Sequence, residues 1–265
     1  MDKQKIITID IGNTNIVMGV FRSSILQEYW RIKTEKTGVY HYLEHLPDAL
    51  VKQKDVTAVV IATVVPDLRV VFEQLCQQLY NLKPIFVDAS LDIGLKIWYT
   101  NPRQVGADRI ANAIAAKELY STPAIIIDFG TALTFDVVSL GGEYLGGIIF
   151  PGMGMASEML HEKTALLPWV HIIKTENILG RDTQSSIQSG VYWGYVGLVK
   201  YLLNRLKKEV FAGFDADVNV IATGGYVSYF LTDLEEVRHF DVNLTLKGLM
   251  KIYEILKSKN QFDGT

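Results

Sequence analysis

The sequence predicts an α/β protein made of two similar domains of βββαβαβ type, duplicated along the chain, with a ligand cleft between them. Three observations predict it. An apolar strand from Ile6 runs into the polar, glycine-containing turn Asp10 to Asn15 and out into a second apolar strand that ends at Phe21, which is a hairpin signal. The same arrangement returns far along the chain, where Ala-Ile-Ile-Ile leads into Asp128-Phe-Gly-Thr131 and on to another apolar strand, so that Asp10 and Asp128 occupy equivalent places. A repeat this long is no solenoid; it marks two like domains, and ligands favour the cleft between such domains. Finally, Val56 to Val64 and Val218 to Ala222 are almost continuously apolar, the pattern of strands buried on both faces.

Each element follows in order. After the opening hairpin, Ile25 to Thr34 supplies a third strand with Trp30 and Ile32 alternating onto one face. Val39 to Gln53 has helical spacing interrupted at Pro47, whose ring removes a donor and clashes with the preceding turn. Beyond strand 56–64, Pro66 and Asp67 open a helix in which Leu68, Val71, Phe72, Leu75, Cys76 and Leu79 recur at three and four, and Ile85 to Val87 is a further short strand. Residues 89 to 104 read as loop, with a turn at Asn101-Pro102, and Val105 to Leu119 as a helix rich in alanine and isoleucine. The pattern then restarts after Pro123: a strand, the Asp128 turn, a strand through Phe135 to Ser139, a hairpin turn at Gly141-Gly142, and a third strand from Glu143 to Phe150. Helices at Gly154 to Lys163 and Thr183 to Lys208, the strand 218–222, the turn Thr223-Gly224-Gly225 and a closing helix Leu246 to Lys257 complete the second half. The expected domains are 1–118 and 119–265, without a low-complexity linker.

Bulk properties narrow the class of function. With 265 residues there is material for two domains and a well-buried core. A formal charge of −3 and the lack of any Lys/Arg run leave no footprint for nucleic acid or an anionic membrane, so a small-molecule site is expected. The single cysteine, Cys76, excludes an intrachain disulfide and predicts core packing in a reducing compartment. No apolar run approaches a membrane span, and Met-Asp-Lys-Gln-Lys ahead of the first strand does not read as a secretory leader; a cytoplasmic location is expected.

Four polar, glycine-containing stretches stand at strand ends or helix starts. In Asp10 to Asn15, the backbone N–H of Gly12 with Asn13, Thr14 and Asn15 suits phosphate oxygens, and the Asp10 carboxylate suits the accompanying Mg²⁺ or its water shell. This is not a P-loop, since no Lys-Ser or Lys-Thr follows, and the same residues also fit an ordinary hairpin whose Asn and Thr bond their own backbone. Asp128-Phe-Gly-Thr repeats the motif and offers Thr131 and the Gly130 N–H to a second phosphate. Gly106-Ala107-Asp108-Arg109 opens a helix: Asp108 reads either as a cap or as a carboxylate base beside a hydroxyl, with Arg109 taking an anionic group by a two-pronged bond and Gly106 keeping the approach open. The fourth comprises Gly146-Gly147 through Pro151-Gly152, expected at a strand end, together with Gly224-Gly225. His41 and His45 have a metal-compatible spacing but lack a third ligand, so a solvated face is the better reading.

In order and spacing, Asp-Ile-Gly-Asn-Thr-Asn at 10–15, Gly-Ala-Asp-Arg at 106–109, Asp-Phe-Gly-Thr-Ala at 128–132, Gly-Gly-Ile-Ile-Phe-Pro-Gly at 146–152, Thr183 to Gly190 and Thr223-Gly-Gly resemble the type III pantothenate kinases, members of the acetate and sugar kinase, heat-shock chaperone and actin superfamily. The resemblance covers nearly the whole chain. It implies two actin-like (ribonuclease H-like) domains with the active site in their cleft, and ATP-dependent phosphorylation of pantothenate to 4′-phosphopantothenate, the first step of coenzyme A biosynthesis. It further implies ATP binding by Asp10, Ile11, Gly12, Asn13, Thr14, Asn15, Ile16, Val17 and Thr131, with Mg²⁺ accompanying the nucleotide. Pantothenate would be bound by Tyr99, Gly106, Ala107, Asp108, Arg109 and Thr183, with Asp108 as catalytic proton acceptor, and Asp128 would hold a monovalent cation, potassium or ammonium. A homodimer is implied, in which Thr183 serves the neighbouring subunit's pantothenate. One departure is Leu133, where relatives commonly carry a small polar residue; alternation directs it into the core. Rival readings are a kinase for another small hydroxy acid or sugar, a non-catalytic accessory protein, against which the retention of Asp10 and Asp108 counts, and an actin-like filament.

Overall fold

Three strands open the chain as an antiparallel meander because each turn is short and each strand has one apolar face to bury. β1 (Lys5–Ile11) pairs with β2 (Asn15–Arg22), Asp10 facing Val17, and β2 pairs with β3 (Ile25–Lys33). α1 (Val39–His45) and α2 (Asp48–Val51) follow, separated at Pro47 as its chemistry requires. β4 (Val56–Thr63) then enters parallel to β1, α3 (Asp67–Tyr80) crosses over, β5 (Ile85–Phe86) lies parallel to β4, and α4 (Ala107–Ala115) runs on through a π-helical stretch at Ala116–Tyr120. The sheet order is β3-β2-β1-β4-β5. Ile7, Ile9, Ile11 and Ile61 from one face of this sheet share a core with Tyr42 of α1 and Phe72 of α3.

The computed structural model describes residues 4–212 and 217–259. It divides into two compact units, one formed by the chain up to Leu119 together with the segment from Leu244 onward, the other by Tyr120–Asn243. The second unit repeats the first. β6 (Ala124–Phe129), β7 (Ala132–Val138) and β8 (Tyr144–Pro151) form the meander, followed by α5 (Met153–Lys163) and α6 (Thr183–Val210). β9 (Asn219–Thr223) lies parallel to β6, and β10 (His239–Phe240) parallel to β9. Its order, β10-β9-β6-β7-β8, matches the first sheet strand for strand. The chain enters α6 through a capping box: the Asp182 carboxylate accepts from the Ser185 N–H at 2.8 Å, and the Ser185 hydroxyl bonds back to the cap. Leu133 is buried at 1 % exposure, as alternation requires.

One strand was not foreseen from the sequence, and the place of the closing helix needs correction. β10 has no pattern of its own; its place comes from the parallel ladder, continued by Arg238 N–H to Val220 O and Asp241 N–H to Ala222 O, both 2.9 Å. The closing helix α7 (Leu244–Ser258) belongs to the first unit rather than to a domain spanning 119–265. The physical reason is its contact with α4. Gly248 sits so close to Ala111 that a side chain there would strike the Ala111 backbone, the Thr245 hydroxyl donates to Asn112 Oδ1 at 2.9 Å, and Leu246, Leu249 and Ile252 are fully buried.

At Gly248 the clash should outweigh helix propensity. An alanine would gain about 1 kcal/mol as a better helix former, but it would have to force two helix backbones apart, an overpacking cost of about 1–3 kcal/mol. Gly248→Ala is therefore expected to lower the urea midpoint; an unchanged or raised midpoint would contradict the close packing of α4 on α7.

Candidate active site

In the first unit, the carboxyl ends of the parallel strands β1 and β4 bring two of the motif stretches near one residue. Asp10 stands beside Ala62 in the ladder, and one step further the Val64 N–H donates to Ile11 O at 3.1 Å. Val64 also borders Gly106, from whose absent side chain its Cγ1 would lie 3.5 Å away. The turn after β1 and the start of α4 thus flank Val64 at the end of the sheet where ligands of open α/β folds bind. Nothing in the sequence singled out Val64, since a valine closing a buried strand is ordinary.

The turn itself is tight. Gly12 N–H donates to Asn15 O at 3.0 Å, and Asn13 and Thr14 are exposed while Asp10, Gly12 and Asn15 are partly buried. Ile11 and Ile16 are fully buried core residues, so a ligand could meet them only through their backbone. Val17 lies in β2, paired with Asp10.

Asp108 occupies the first turn of α4, with Gly106 as N-cap residue. Its Oδ1 accepts the Arg109 N–H at 2.8 Å. Burial pushes the carboxyl above the ordinary aspartate range; the helix-end amides and the charge of Arg109 pull the other way and are outweighed. Part of Asp108 nevertheless remains exposed, whereas Arg109 is only 6 % exposed. A buried carboxylate with a raised pKa is suited to accept a proton. Gly106 has a role different from the expected one: its missing side chain leaves the space into which the Asp108 carboxylate folds. Ala107 is buried, and Tyr99 lies partly buried in the loop between β5 and α4.

In the second unit, Asp128 stands at the carboxyl end of β6, facing Thr134 across the hairpin and Thr223 of β9 in the parallel ladder, in the register that places Asp10 in the first unit. Two glycines expected near a ligand instead close this turn. Gly224, at φ +98°, leaves room for the Asp128 carboxylate and the Phe129 backbone, and Gly152 lies against the carbonyls of Gly130 and Thr131 while its N–H donates to Thr131 O at 2.9 Å. Thr131 is exposed at the tip. Gly146 and Gly147 do not end a strand; they lie inside β8 opposite Val137 and Asp136, where the ladder shifts register before Val138. Thr183 is exposed at the first position of α6.

A carboxylate is a hard oxygen donor, the chemistry that suits an alkali cation or ammonium better than a soft transition metal, and Asp128 Oδ1 lies beside the Gly130 and Gly224 positions. Among the described residues, no group of three or more His, Cys, Asp and Glu is placed to hold a metal ion. His41 and His45 stack at 4.2 Å between centroids, and His41 Nε2 lies 3.2 Å from Glu35. Cys76 is buried at 2 % exposure and burial pushes its thiol up to about 12, which makes it an inert packing residue. No helix among the described residues is long and apolar enough to cross a membrane.

Comparison with known proteins agrees with this arrangement. Residues 6–205 match the family model described as type III pantothenate kinase. Among solved structures, a Campylobacter jejuni protein assigned to the Baf family of transcriptional activators is similar at 20 % identity, with a TM-score of 0.58 over 97 % of this chain and 100 % of that one. A Listeria monocytogenes protein assigned as an N-acetylmannosamine kinase is similar at 15 % identity and TM-score 0.56, over 97 % and 100 %. MreB 5 of Spiroplasma citri bound to AMPPNP is similar at 14 % identity and TM-score 0.52, over 100 % of both chains. At these identities the likeness shows the duplicated actin-like fold alone.

Proposed function

The chain belongs to the type III pantothenate kinase family, and from that premise we propose that it transfers the γ-phosphoryl group of ATP to the primary hydroxyl of pantothenate, yielding 4′-phosphopantothenate, ADP and a proton. The observation that carries this reading is Asp108, a buried carboxylate at the start of α4 with its pKa raised by burial. It takes the hydroxyl proton as the new O–P bond forms and the bond to the ADP oxygen breaks. Phosphoryl transfer asks little else of the protein than alignment and charge neutralisation. Asp10 and the Gly12 to Asn15 turn hold the nucleotide phosphates and their Mg²⁺, with Thr131 contributing from the second turn. Tyr99, Gly106, Ala107 and Arg109 would bind pantothenate beside Asp108, and Thr183 would serve the pantothenate of the neighbouring subunit. Arg109, whose charge already acts on Asp108, balances negative charge there. Asp128 would hold a potassium or ammonium ion, whose charge would offset that of the phosphates. Location in the cytoplasm fits the same reading.

A homodimer also belongs to the proposal. It is supported by an apolar groove of about 1230 Å³ between α5 and α6, lined by Phe150, Met159, Leu160, Val191 and Leu198, with Asp182 and Thr183 at its edge. Along it Gly190 and Gly194 have nothing within 4 Å of where a side chain would begin. A second copy seated there would exclude water from the groove and bring its own chain beside Thr183.

Three measurements bear on these readings. Asp108→Asn should lower the rate of ADP release with pantothenate by roughly two or more orders of magnitude, the usual loss for a general base, while ATP still binds. Because the folded pKa of Asp108 lies above its unfolded value, its ionisation costs stability as pH rises through that window. The variant should therefore melt no lower than the wild type at neutral pH, and the acid limb of the wild-type kcat/KM profile should lie above the ordinary aspartate range. Near-normal turnover, or activity only with another acceptor in a panel of sugars and hydroxy acids, would reject the assignment. Potassium should activate more than sodium at equal ionic strength; equal rates would remove the cation from Asp128. Sedimentation equilibrium should return twice the chain mass, and Met159→Arg, at an exposed residue of the groove, should shift it to the monomer; a wild-type monomer at micromolar concentration would discard the dimer.

A further inference from the structure

Thr34, at the exit of β3, is tied to the turn after β1 by two hydrogen bonds: its N–H donates to Thr14 O at 2.9 Å, and its hydroxyl donates to Gly12 O at 2.7 Å. The turn's own backbone bond runs from Gly12 N–H to Asn15 O, and the two bonds from Thr34 hold the turn from outside. A trans peptide is planar, with the carbonyl of one residue and the N–H of the next pointing opposite ways. Holding Gly12 O and Thr14 O from the Thr34 side therefore turns the Asn13 and Asn15 N–H groups to the opposite side. We propose that Thr34 is a positioning residue that presets the backbone donors of the Gly12 to Asn15 turn for an anionic ligand, here the phosphates of ATP.

Thr34 is itself anchored. The next residue, Glu35, is gripped through its backbone by a buried tyrosine: the Tyr42 hydroxyl donates to Glu35 O at 2.6 Å and accepts the Glu35 N–H at 3.2 Å. Tyr42 is 1 % exposed and packs edge-on against Phe72 of α3, ring centroids 5.0 Å apart. Glu35 also receives His41 at 3.2 Å through its carboxylate. A chain of contacts thus runs from the α1–α3 core through Glu35 and Thr34 to the turn. The benefit is preorganisation: donors already aimed at a ligand lose less freedom when it binds. A threonine at a strand end gives no sequence signal of this role, because it is an ordinary strand former.

This inference rests on the nucleotide reading of the turn, and the test keeps the two apart. Mg-ATP affinity would be measured calorimetrically for the wild type, Thr34→Val and Thr34→Ser, alongside melting temperature and hydrogen exchange of the segment 10–16. Thr34→Val preserves shape and the backbone bond to Thr14 but removes the hydroxyl bond to Gly12. It should weaken Mg-ATP binding about three- to tenfold, the scale of one net hydrogen bond, and speed exchange in 10–16, with the KM for pantothenate unmoved. Thr34→Ser should restore both. A Thr34→Val variant that melts lower yet binds Mg-ATP as tightly as the wild type, or a Thr34→Ser variant as weak as Thr34→Val, would overturn the positioning role and leave the nucleotide reading intact. Wild-type protein that binds no Mg-ATP, whatever the exchange data show, would instead overturn the nucleotide reading and this inference with it.

Discussion

The parallel pairing of the first hairpin strand with the strand that follows the helices is the constraint on which the rest depends. In the first unit it is β1 against β4, with Asp10 beside Ala62; in the second it is β6 against β9, with Asp128 beside Thr223. Parallel strands share their carboxyl ends, so this pairing collects the turn after the first strand, the residue that follows the fourth, and the helix start or glycine turn beyond it at one edge of each sheet. A slip of one residue would send every alternating side chain to the wrong face. Ile6 to Ile9 and Val59 to Ala62 are buried on both faces, so close packing on each face holds the register.

Electrostatics at the start of α4 shows how the fold raises the pKa of a carboxylate. A helix N-terminus favours negative charge, and so does neighbouring Arg109. Burial outweighs both at Asp108 and leaves a carboxyl raised in pKa. The space for it exists because residue 106 lacks a side chain. One glycine therefore decides whether the Asp108 carboxylate can fold back onto its own helix.

Glycines elsewhere are used in the same manner, to let chain approach chain. Gly152 and Gly224 close on the Asp128 turn, and Gly248 seats α7 on α4. In each instance the cost of glycine in the unfolded chain is offset by contacts that no larger residue permits.

Much of this was legible in the sequence because it is local. Periodicity located the long strands and helices, the two Asp-x-Gly turns revealed the duplication, the spacing of the motif stretches pointed to the family, and the alternation of Leu133 placed it in the core. Properties that depend on distant partners were not legible. α7 reads as the end of the second half but packs on α4, because complementarity between Gly248 and Ala111 has no sequence period. β10 exists only through its ladder to β9. The Gly146-Gly147 pair looked like a strand end and is strand interior, since register is set across the sheet. The roles of Val64 and Thr34 beside the first turn emerge for the same reason: the residue type says that each favours a strand, whereas what it touches is decided by chain folded back from elsewhere.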